Sequence, residues 1–186
     1  MITKDPRQYY DGLLQASAAL WERWIELYGD RFERAFYNVR VGAGVRPPRG
    51  TPDAMRRDWW AVTALRIDAV AERENQTWVF EIAERPSRQM LSSLQLYTHI
   101  LPLYQGQNAT QRDVIRNRNA EDFLIPTDIR EIVIPALVCR FLGFDFGKVT
   151  EKAGILIFQF PGAGYPKLPA TFLPSTQAAS WFPGAP

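Results

Sequence analysis

Cysteine, histidine and lysine are all scarce: the 186 residues include one cysteine, one histidine and four lysines. A lone cysteine, Cys139, excludes an internal disulfide and a multi-cysteine zinc site, and a lone histidine, His99, excludes a multi-histidine one. No apolar run reaches the roughly 18 residues that a bilayer-spanning helix needs. The opening Met1-Ile-Thr-Lys-Asp-Pro-Arg lacks the apolar region of a secretory signal, so neither export nor a membrane partner is expected. Asn108-Ala-Thr therefore carries no weight as a glycosylation site. The net charge is only +2, too small a field to draw the whole chain onto nucleic acid.

Arginine is abundant, at 18 residues, and suits bidentate pairing with carboxylates or phosphates at interfaces. A hydrophobic content of 46% with 13% aromatics argues against general disorder. The length fits one domain with a sizeable core plus appendages.

Apolar spacing predicts a helix from Ser17 to about Tyr28, with Leu20, Trp21, Trp24, Ile25 and Tyr28 on one stripe. Phe32–Val41 contains a first strand, and the Gly- and Pro-rich 42–52 is a loop. Asp53 caps a short helical turn through Met55 to Trp59. A second helix runs from about Ser87 to Tyr104. Gln105–Asp128 is a polar excursion. Ile132–Phe141 and Gly154–Phe160 read as buried central strands, with a helix at Asp145–Lys152 between them. Beyond Phe160 there is neither helical nor strand period, and five prolines follow residue 165.

Between the two helices lies the most informative stretch. Leu65–Glu72 and Thr77–Ala83 are strand-like runs around a polar turn, a hairpin signal. With Glu74-Asn75 as a two-residue loop, Asp68 falls opposite Glu81. Ile67, Ala69, Ala71, Trp78, Phe80 and Ile82 share an apolar face; Arg66, Asp68, Val70, Thr77, Val79, Glu81 and Ala83 share the other. Like charges directly opposed repel. A solvated face has no reason to oppose them, whereas a divalent-metal site does.

Asp68, Glu81 and the surrounding order of elements resemble the PD-(D/E)XK (restriction-endonuclease-like) nucleases. In that family an Asp ends one strand and a D/E-x-K triplet lies on the next. The resemblance covers roughly residues 15–160, including the tyrosine-bearing helix (Tyr97) and the strand–helix–strand unit at 132–160. It implies an α/β fold, with a central mixed sheet flanked by helices over residues 1–160 and an extended Pro-rich tail over 161–186. Asp68 and Glu81 take the positions of the two metal-holding acids. Ala83 replaces the lysine, and Ser93 stands where a glutamine is frequent, with Gln95 on a neighbouring face. The site thus reads as vestigial and the chain as a degenerate member.

Arg66, opposite Ala83 in this register, reads first as part of a structural ion cluster and second as a displaced cation. An arginine stabilises charge but cannot act as a base. Cys139 reads as a small buried hydrophobe, His99 as a surface or core residue of its helix, and Trp59-Trp60 as core. Arg56-Arg57 and Arg112–Arg118 read as solvated faces.

Asp30-Arg-Phe and Val39-Arg-Val-Gly resemble phrases in small proteins of tailed phages. The expectation is a non-catalytic structural or assembly protein of a tailed-phage virion, at the head–tail junction or in the tail. It would reside in the host cytoplasm before assembly, partnered by other virion proteins and by copies of itself. The tail's Tyr165, Phe172, Trp181 and Phe182 would be aromatic anchors on neighbouring subunits. No cofactor is expected. The alternatives are a Mg²⁺-dependent deoxyribonuclease using Asp68 and Glu81, and a DNA- or RNA-binding module without cleavage.

Overall fold

A computed structural model describes residues 1–5, 10, 12–42, 44–103, 132–160 and 171–172. The elements run α1 (Gln15–Tyr28), a single 3₁₀ turn (Gly29–Arg31), β1 (Arg34–Val41), α2 (Asp53–Thr63), β2 (Leu65–Arg73), β3 (Gln76–Ala83), α3 (Arg88–Leu103), β4 (Ile132–Cys139), α4 (Phe144–Lys152), β5 (Leu156–Gln159) and β6 (Thr171–Phe172). The strands form one mixed α/β sheet in the order β1-β2-β3-β4-β5-β6. β1–β2, β2–β3 and β5–β6 are antiparallel, while β3–β4 and β4–β5 are parallel.

The two faces of the sheet bury different helices. On one, α1 sets Trp21, Trp24, Ile25 and Tyr28 against Trp78, Phe80 and Phe158. Trp21 stacks on Trp24 at 4.6 Å, and Trp24 meets Phe80 edge-on at 4.8 Å, geometries that aromatic quadrupoles favour. On the other face, α3 contributes Leu91, Leu94, Tyr97 and Leu101 over Val70, Val79 and Leu137, and Phe146 and Ala153 pack against the same cluster. Both crossover helices, α3 and α4, thus belong to one face, as they must when strands β3, β4 and β5 advance in one direction with one handedness. Pro135 sits in β4 just before β5 begins to pair at Ala136, where a missing N–H interrupts no bond to β5.

The expected polar excursion at 105–128, Arg112–Arg118 included, lies outside the described residues. Helix α2 is longer than the single turn foreseen. Its Trp59 is 36% exposed and not core; the side chain of Trp60 is outside the described set. The segment after Phe160 contains a strand that its composition hid, because Phe172 pairs with Phe158. The backbone of this expected anchor therefore belongs to its own sheet. Tyr165, Trp181 and Phe182 lie outside the described residues.

Candidate functional site at a parted strand pair

The β2–β3 hairpin has the register that its alternation implies, running from Arg73↔Gln76 at the turn to Ala69↔Phe80. Glu74 turns the chain with φ of +48°, and its amide donates to the Glu33 carboxylate at 2.9 Å. Beyond Ala69↔Phe80 the partners change. β2 continues along β1, with Ile67 on Val39 and Leu65 on Val41. β3 continues along β4, with Ile82 on Val138 and Ala83 on Cys139.

In a continued antiparallel ladder Ile82 would exchange both backbone bonds with Ile67. Instead the Ile82 amide donates to Asp68 Oδ2 at 2.8 Å, and the Ile82 carbonyl accepts the Ser17 hydroxyl of α1 at 2.9 Å. Both groups, buried or nearly so, are thereby satisfied by side chains, which avoids the cost of unmade hydrogen bonds. Asp68 has a structural task before any chemical one.

The parting coincides with a change of face. Ala69 and Ala71 lie in the α1-side core, but Ile67 joins Val39, Val41, Val70 and Val79 in the α3-side core. The expected apolar face is thus corrected at Ile67. The cause lies across the ladder at Asn38, whose φ of +51° is rare for a side-chain-bearing residue. Arg66 is turned by the same step, and its Nη2 donates to the Gly12 carbonyl at 3.4 Å. Gly12 has φ of +76°, a conformation strained for side-chain-bearing residues, and a Cβ there would crowd Asn38 at 3.1 Å.

Asp68 and Glu81 nevertheless meet. Each carboxyl acts on the ionisation of the other, and Glu81 is only 8% exposed. Burial raises Asp68 above the ordinary carboxylate range, while the Ile82 amide and the Arg66 charge oppose that rise. Burial, reinforced by the Asp68 charge, pushes Glu81 up to about 8. Two desolvated carboxyls this close favour sharing one proton over double ionisation. The Tyr97 hydroxyl donates to the Arg66 carbonyl, and it also lies within hydrogen-bonding reach of Glu81 and Ser93. Burial and the Glu81 charge raise Tyr97 further above its usual range.

Ser93 and Tyr97 are four apart on α3, a helical spacing that puts both on the site-facing side. That spacing is the signal in the sequence for Ser93 beside Tyr97. Gln95 and His99 are exposed on α3. Cys139 is buried beside Ala83, and burial pushes its thiol up to about 12.

For a divalent cation the donor set is thin. Asp68 and Glu81 are the right hard oxygens, but Asp68 Oδ2 is already engaged, and no cluster of three or more His, Cys, Asp or Glu occurs among the described residues. Ala83 brings no charge. Against family models, curated proteins and solved structures, the chain gives no match in any of the three comparisons.

Proposed function

We propose that this chain is a non-catalytic, restriction-endonuclease-like domain that serves as an assembly protein of a tailed-phage particle, at the head–tail junction or in the tail. The observation that carries the non-catalytic part is the closure of the acid pair on itself. Asp68 holds the Ile82 amide, burial disfavours the Glu81 charge, and Ala83 leaves the lysine's position without a cation. Phosphodiester cleavage needs positive charge where negative charge develops. Here Ala83 supplies none, and the Arg66 charge offsets the two acids. The assignment to a phage particle is supported by the resemblance of Asp30-Arg-Phe and Val39-Arg-Val-Gly, and a fold kept after its chemistry is lost is consistent with function residing in the site. The test is to purify the full chain and measure its sedimentation and its action on plasmid DNA in Mg²⁺ or Mn²⁺. Self-assembly without cleavage supports the reading; cleavage by a monomer overturns it.

A second reading rests on one specific observation, that two desolvated carboxyls face each other where two strands part. In a Mg²⁺-dependent deoxyribonuclease, Asp68 and Glu81 would hold the ion and the ion would activate the attacking water.

A further inference from the structure

Among the described residues, α2 presents a group of exposed apolar side chains. Met55, Trp59 and Val62 are spaced by four and three residues, so they form one stripe. They are 60%, 36% and 75% exposed, with Val45 beside them at 59%. The platform is built: Trp59 Nε1 donates to the Val45 carbonyl at 2.9 Å, and the Val45 amide donates to Thr63 Oγ1 at 3.0 Å. Among the described elements α2 has no substantial packing partner, because α1 and α3 already cover the two sheet faces. An 11-residue helix is marginal in water unless its apolar side is covered.

The chain itself contains a fitting occupant. α2 stands in the connection between β1, one edge strand of the sheet, and β2, whereas β6 is the other edge strand. Fourteen residues, Leu173–Pro186, follow β6. They include no charged side chain, carry Leu173 and the adjacent Trp181-Phe182, and are broken by Pro174, Pro183 and Pro186, which oppose a self-burying helix. An uncharged aromatic segment matches an apolar stripe. A nucleic-acid backbone does not, since Arg56 is held by the Thr51 carbonyl and Asp53, and the acid Asp58 shares the helix.

We propose that the exposed stripe of α2 is the receptor for Leu173–Pro186 of a second copy of this chain. A donor segment of one copy on a different patch of the next makes a head-to-tail contact, which closes into rings or runs on as filaments. The proposal rests on the assembly reading above and names its contact. Prolines limit the freedom that docking removes, and Trp181 and Phe182 are the anchors.

Two full-length variants test it by sedimentation velocity: Met55→Asp with Val62→Asp, and Trp181→Ala with Phe182→Ala. Met55 and Val62 are exposed, so the first pair leaves the fold intact by circular dichroism. The wild type should form multimers, and each variant alone should be weakened in self-association at least about tenfold. Mixed together, the two should form a one-to-one dimer and nothing larger, since only one productive contact remains. An α2 variant that assembles like the wild type overturns the receptor while leaving the assembly reading intact. Two monomeric variants that fail to pair point to a symmetric contact and also overturn it. A monomeric wild type overturns the proposal and, if it cleaves DNA, the assembly reading too.

Discussion

The Asp68 carboxylate accepts the Ile82 amide at 2.8 Å, replacing across a parted strand pair the carbonyl that Ile67 would have offered. This bond makes the acid a structural residue whatever else it does. Asp68→Ala should leave that amide without a partner and cost about 1–3 kcal/mol. Asp68→Asn keeps an acceptor oxygen and removes the charge opposing Glu81, so it should cost clearly less. Urea denaturation at neutral pH measures both. Equal losses would mean that the bond contributes nothing.

Ser17 completes the same repair from the other side. Ser17→Ala strands the Ile82 carbonyl and should cost about 1–3 kcal/mol. Trp24→Ala, which empties the fully buried centre of the α1-side core, should cost about 3–5 kcal/mol. Thermal or urea unfolding distinguishes the two.

Glu81 makes stability depend on pH. Its folded value, raised to about 8, exceeds the unfolded value of 4.5. The folded state therefore binds the proton more tightly, and this contribution is fully present below pH 4.5 and is lost as pH rises to about 8. Glu81→Gln removes the ionisation. The variant should gain stability relative to the wild type between pH 5 and pH 8, as unfolding free energies at the two values would show. A pH-independent difference would contradict the buried, protonated carboxyl.

Ala83→Lys introduces a cation on the strand face of Glu81, two residues along β3. The Glu81 titration should move down by a unit or more, narrowing the pH window just described. An unchanged window would place the new ammonium out of reach.

Much of this was legible in the chain, and the exceptions have local causes. The hairpin register followed from alternation around Glu74-Asn75, and the α1 stripe from helical spacing. The crossing of Ile67 was not legible, because it depends on a left-handed Asn38 in a different strand. That crossing also explains how Arg66, expected opposite Ala83, donates to Gly12 while its charge acts on both acids. Trp59 looked like core because tryptophan usually is, and nothing local shows that both sheet faces are already filled. β6 is two residues in a proline-rich segment, too short for any period to register.

The proposed role of the acid pair is structural, without cleavage of DNA. Its most direct test is supercoiled plasmid incubated with the wild-type chain and with Asp68→Ala, each in Mg²⁺ and in Mn²⁺. Both proteins should give the same background nicking in either metal. Metal-dependent cleavage by the wild type that disappears in Asp68→Ala would contradict it.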